Sequence, residues 1–189
     1  MPDFNFNALS SKEKEAYKMS QIKWLADLLK EIDANGSALR PEDNDAIIHY
    51  ACETAIKLGK LKYNMPATMP TLIKLSDTAL QRIGKSGMDM QHSRMPGVND
   101  DDDHTGTAGG YVRPLRIIII PDKMGITNLP DFSVIVHECT HAMQPDDMPE
   151  SAAELEAYRT QDAFMRQYGG TLKDAIGFTL ADIEATYGC

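Results

Sequence analysis

Apolar residues recur at helical spacing through most of the chain. Ser10 with Glu13 three residues on is an S-x-x-E capping box, and Ile22, Leu25, Ala26, Leu29 and Ile32 follow until Asn35-Gly36 stops the element. Pro41 suits the first turn of a second helix. Ile47, Tyr50, Ala51, Cys52, Ala55 and Ile56 give that helix an apolar face, and Gly59 ends it. Residues 60–70 hold two prolines and read as a connector. Leu72, Ile73, Leu75, Ala79, Leu80 and Ile83 predict a third helix over 71–83. Periodicity is then lost over 84–110, which carries six glycines, one proline and the run Asp100-Asp101-Asp102-Asp103. A loop of that length inside a compact domain is usually functional or disordered.

The pattern changes at Val112-Arg113-Pro114-Leu115-Arg116-Ile117-Ile118-Ile119-Ile120-Pro121. The β-branched run between prolines predicts one strand over 112–121, buried on both faces at its isoleucines, with Pro114 marking an edge or a bulge. Asp131 is the expected N-cap of a helix over 132–144 that carries Val134, Ile135 and Val136 and ends at Pro145. A further helix runs from about 147–150 to Tyr168, closed by Gly169-Gly170, and one or two short helices finish the chain over 171–187. The expected class is α+β, mostly helical with a small sheet. The expected organisation is a single domain whose helical N-terminal part is 1–110 and whose catalytic part is 111–189.

Length and charge narrow the function classes. The chain has 189 residues, enough to bury a core without staples. Lys and Arg total 19 against 28 Asp and Glu, a net charge of −9, which repels phosphate backbones and anionic membranes. The longest aliphatic run is Ile117 to Ile120, far short of the roughly 20 residues a membrane span needs. Neither nucleic acid nor membrane is therefore an expected partner. Cys52, Cys139 and Cys189 are odd in number and widely spaced, as reduced thiols are. The N-terminal stretch lacks the basic start and apolar core of a signal peptide. The expected location is cytoplasmic, or exported by a route that reads no such peptide.

The chemistry concentrates in Val136-His137-Glu138-Cys139-Thr140-His141, which contains His-Glu-x-x-His. Residues four apart on a helix share a face, so His137 and His141 can hold one Zn²⁺ from the same side. Glu138 lies roughly 100° round the helix, beside the metal rather than on it, where a carboxylate can take a proton from water. Cys139, roughly 200° from His137, falls on the opposite face and reads as core.

A catalytic zinc needs a third protein ligand and an open position. Three downstream carboxylates are candidates: Glu154, Glu156 and Asp147. At 100° per residue, Glu154 falls roughly 70° from the centre of its helix's apolar face and Glu156 roughly 90° away on the other flank. Glu154 shares its stripe with Tyr158, Gln161 and Met165, and Glu156 with Thr160, Ala163 and Gln167. A half-buried Glu154 would need a partner such as a metal. The competing reading is that Glu154 closes a capping box with Ser151.

A His-Glu-x-x-His helix followed by a helix with a Glu-x-Glu-Ala pattern resembles the gluzincin branch of the zinc metallopeptidases. The resemblance covers about residues 115–168. It implies a zincin-like fold with the sheet beside the motif helix and one Zn²⁺ per chain on His137, His141 and Glu154. It implies Glu138 as general base and a peptide or protein as substrate. Tyr158 stands where related members carry an Asp or Asn that supports a zinc histidine. The metzincin branch instead has Gly three and His or Asp six residues after the second His, positions filled here by Gln144 and Asp147. The small size and the Glu154-Leu155-Glu156-Ala157-Tyr158 helix are also similar to metallopeptidase domains of bacterial toxin and effector systems. An inhibitor or immunity protein would be a partner of such a domain. The alternatives are an amidase acting on cell-wall peptides and a non-catalytic binding module stabilised by zinc.

The acidic loop Asn99–Gly106 offers a weak Ca²⁺ pattern, with Val112 where an EF-hand has its closing Glu, and reads as a solvated loop. The strand at 112–121 is the expected template for extended substrate, and Tyr111 or Tyr158 the expected oxyanion donor. His49, His92 and Trp24 read as ordinary surface or packing residues, and the 11 methionines as core filling.

Overall fold

The computed structural model describes residues 10–85 and 109–187. It is α+β and mostly helical, with one small mixed sheet. In chain order the elements are α1 (Ser11–Asn35), β1 (Ser37–Ala38), α2 (Pro41–Gly59), β2 (Thr71–Leu75), α3 (Asp77–Lys85), β3 (Gly110–Val112), β4 (Ile117–Pro121), α4 (Leu129–Met143), α5 (Glu150–Gln167), α6 (Leu172–Ile176) and α7 (Leu180–Tyr187). The sheet order is β1-β2-β4-β3. β2 and β4 run parallel at its centre, and the flanking pairs are antiparallel.

The helix expected over 71–83 is corrected to a strand followed by a helix. Leu72 and Ile73 fit a pleated strand as well as a helix, and a short apolar run does not distinguish the two. The fit is decided elsewhere: Thr71 to Leu75 pair with Ile117 to Pro121, and buried Asn44 on α2 docks the strand. Its Oδ1 accepts from Leu72 N–H at 2.7 Å, and its Nδ2 donates to the Pro70 carbonyl at 3.1 Å. Ser76 then caps α3, its Oγ accepting from Ala79 N–H.

The single strand expected over 112–121 is corrected to two. β3 and β4 are separated by a 3₁₀ turn, Arg113–Leu115, which holds Pro114 where its missing N–H costs nothing. Arg116 follows at φ 51°, turning the chain back so that Tyr111 faces Ile118. The N-cap of α4 is also corrected, from Asp131 to Asn128. Asn128 Oδ1 accepts from Asp131 N–H at 2.8 Å, and Asp131 in turn accepts from Gly125 N–H at 2.6 Å. On α1 the buried face is Trp24 and Leu28 rather than Ile22 and Leu29, which are 60% and 45% exposed.

The sheet lies between two helical layers. Leu72, Ile118 and Ile120 meet Ile48, Cys52, Val134, Ile135 and Phe164 from α2, α4 and α5. On the other face Ile73, Leu75 and Ile119 meet Trp24, Leu28, Leu80 and Ile83 from α1 and α3. The period-2 alternation of strands produces this sorting, and each fully buried Leu or Ile contributes about 1.5–3 kcal/mol. Strands from both sides of residue 110 share the sheet, so the first and last parts of the chain have a common core.

Candidate metal centre

α4 carries the His-Glu-x-x-His motif in the most buried part of the molecule. Every residue from Ser133 to His141 is buried, as for a helix covered on all sides. Arg113, in the turn after β3, closes its C-terminus. The guanidinium donates to the carbonyls of His141 at 3.3 Å and Gln144 at 2.9 Å, and to Asp146 at 2.6 Å. These are the carbonyls a helix end leaves unpaired, and a cation there opposes the helix dipole.

α5 supplies the third group. Pro145 to Pro149 reverse the chain, and α5 starts at Glu150 with no side-chain cap. Ser151 is therefore already inside the helix, and the capping-box role considered for Glu154 is not taken. Glu154 is fully buried and turned onto the two histidines.

His137, His141 and Glu154 form a group that could hold a metal ion. The two Nε2 atoms lie 3.1 Å apart. His141 Nε2 is 3.3 Å from Glu154 Oε1, and His137 Nε2 is 3.6 Å from Glu154 Oε2. A tetrahedral zinc with bonds of about 2.0–2.1 Å separates its ligand atoms by about 3.3–3.4 Å. The triangle fits such an ion with little rearrangement.

Electrostatics point the same way. Burial presses the His141 imidazole toward its neutral form, but the Glu154 carboxylate, its hydrogen bond and Glu138 outweigh that and raise the group to about 9. The two buried carboxylates thus favour the charged form of His141. Glu138 is 4% exposed, and its Oε2 has no hydrogen-bond partner among the described residues. A buried carboxylate oxygen left in that state costs free energy unless a cation or a donor meets it.

Tyr158 packs edge-on against His137 at 4.4 Å between ring centroids, so it supports the histidine through its ring. Its phenol is pushed far up, first by burial and then by Glu154. Gln144, the C-cap of α4, lies 2.8 Å through Oε1 from His141 Nδ1. Its Nε2 donates to the Ala153 carbonyl at 2.8 Å and to Glu156 Oε2 at 3.0 Å.

The other sequence candidates fall outside the group. Glu156 points to Gln144 and Tyr63 and is not the solvated residue its flank suggested; Asp147 is exposed. Cys139 is buried in the core, its thiol pushed well up by burial and by the Cys52 thiol beside it. The acidic loop, His92 and Cys189 lie outside the described residues. The strand expected as a substrate template is only partly available, because β4 is paired on both sides and the sheet edge is β3.

Sequence reasoning missed four residues. Gln144, Arg113 and Tyr63 are ordinary polar residues whose roles come from tertiary contacts. Tyr187, on α7, stacks on Tyr158 at 6.2 Å and is pushed up to about 12 by burial, Glu154 and Glu150. Among the described residues, no helix is long and apolar enough to cross a membrane. No protein-family model, curated protein or solved structure matches the chain.

Proposed function

We propose that the chain is a zinc-dependent, zincin-like metallopeptidase that hydrolyses a peptide bond. The observation that carries this reading is the His137–His141–Glu154 triangle at tetrahedral spacing beside the buried Glu138. His137, His141 and Glu154 hold the ion, and three protein ligands leave a fourth position open. When bound, Zn²⁺ supplies a Lewis acid that acidifies water toward a pKa of about 7 and polarises the scissile carbonyl.

The chain's own residues do the rest. Glu138 accepts the proton of the attacking water at its carboxylate and delivers it to the nitrogen of the leaving amine. The edge of β3 that no other described strand pairs offers main-chain groups to an extended substrate. Gly109, just before β3, packs close to the motif helix: a Cβ there would meet Val134 Cγ1 at 2.9 Å, the Ile119 carbonyl at 3.3 Å and Glu138 Oε1 at 3.4 Å. Tyr111, half-buried on β3, is the candidate oxyanion donor, because Tyr158 is committed to packing His137. A cell-wall peptide is one substrate class for the same chemistry.

The depth of the site favours a second reading, in which zinc organises the fold and no turnover occurs. His137, Glu138 and His141 are each 5% exposed or less. One experiment separates the two. Zinc-loaded protein is incubated with a peptide library and with cell-wall peptides, and new termini are read by mass spectrometry. The peptidase reading expects cleavage that a chelator abolishes and that Glu138→Gln lowers by at least about 10² while zinc stays bound. Bound zinc with no cleavage of either library supports the binding module instead.

A further inference from the structure

The Gln144 carboxamide has one orientation that its surroundings allow. Its Nε2 faces two acceptors, the Ala153 carbonyl and Glu156 Oε2, so both amide hydrogens are used. Reversing the amide would set its oxygen against those two oxygens, with no hydrogen between them. Oε1 therefore faces His141, 2.8 Å from Nδ1, and Nδ1 must be the ring nitrogen that carries hydrogen. A neutral His141 then has its lone pair on Nε2, the atom turned toward His137 and Glu154. Glu156 is itself held. The Tyr63 hydroxyl, from the connector between α2 and β2, donates to Oε2 at 3.0 Å and reaches Oε1 at 3.2 Å.

We propose that Glu156 and Tyr63 are positioning residues for the metal: they lock the Gln144 carboxamide, and through it the ring orientation and ligating tautomer of His141. The relay passes from the connector through α5 to the end of α4, and none of its members touches the ion. It explains why a carboxylate two residues from the metal ligand is half-buried without belonging to the metal group. The inference rests on the metal reading of the site and is independent of hydrolysis.

The test measures zinc affinity by competition with a chromophoric chelator, and the His141 tautomer by long-range ¹⁵N–¹H NMR of the zinc-loaded protein. Wild type is expected to show hydrogen on Nδ1. Glu156→Leu removes one of the two acceptors that hold the carboxamide, leaving the Ala153 carbonyl alone, and should weaken zinc binding by about 10–100-fold, the usual cost of losing such a partner. Glu156→Gln keeps an acceptor for Gln144 and should restore affinity to within about threefold of wild type, a small fraction of that loss. Tyr63→Phe should fall between the two. Should Glu156→Leu not fold, Gln144→Leu and Tyr63→Phe carry the same comparison. Wild-type affinity in Glu156→Leu, or equal losses in Glu156→Leu and Glu156→Gln, would overturn the relay while leaving the metal site standing; hydrogen on Nε2 in zinc-loaded wild type would overturn both, because that nitrogen could not then hold the ion. Wild-type protein that takes up no zinc overturns both.

Discussion

Glu154 and Glu156 stand two residues apart on α5, and their surroundings give them different tasks. Glu154 is fully buried against two imidazoles, so Glu154→Ala should lose zinc, because the ion loses a bond and a compensating charge. Asp147 is exposed, and Asp147→Ala should leave zinc content unchanged and stability within about 0.5 kcal/mol. Elemental analysis of the two purified variants checks both. Gly109→Ala sets a methyl group 2.9 Å from Val134 Cγ1 and 3.3 Å from the Ile119 carbonyl, so the chain beside Glu138 must shift. It should keep zinc yet lower hydrolysis by about 10-fold or more, since small displacements of a catalytic group are costly. At this scale the site was largely legible. Four-residue spacing marked His137 and His141, whereas the angle round the helix favoured Glu154 over Glu156 by only a small margin, and it is burial against the two imidazoles that distinguishes them. The contacts of Gln144, Tyr63 and Arg113 were not legible, because each depends on a segment far away in sequence.

Long helices with caps were readable from local chemistry alone, and short elements were not. The Ser10–Glu13 box, Pro41 and the Gly169-Gly170 stop act within a few residues of the helix they bound. β2 becomes a strand because of its partners, β4 and Asn44, which lie 46 and 28 residues away for Leu72. Asn44→Ala tests that dependence. It strands the buried Leu72 N–H and the Pro70 carbonyl, at about 1–3 kcal/mol for each group left unpaired. Urea unfolding should show a loss of about 2–4 kcal/mol, and a loss near zero would mean that β2 is docked by its ladder alone. Asn128→Ala removes the α4 cap and should cost about 1 kcal/mol in the same assay.

At the scale of the whole molecule, the metal group joins α4 to α5, and α2 and the sheet complete the core around them. A ligand that binds only the folded chain stabilises it by mass action, about 2.7 kcal/mol at a free concentration 100 times Kd. For a chain of this size, zinc should then raise Tm by about 5–10 °C over chelator-treated protein. Calorimetry with and without chelator reads that shift. The expectation of a zincin-like architecture came from a resemblance of motifs, whereas the structure shows an α+β fold with a small mixed sheet whose parallel centre, which no local pattern announces, came only with tertiary pairing. The proposed site would hold a zinc ion on His137, His141 and Glu154, with Glu138 beside it as the proton acceptor. Anomalous diffraction at the zinc edge from crystals of the zinc-loaded protein tests this most directly. One peak per chain is expected, about 2.0–2.2 Å from His137 Nε2, His141 Nε2 and a Glu154 oxygen, with Glu138 beside it and not bonded. A peak elsewhere, or one enclosed by four protein ligands, would contradict the proposed site.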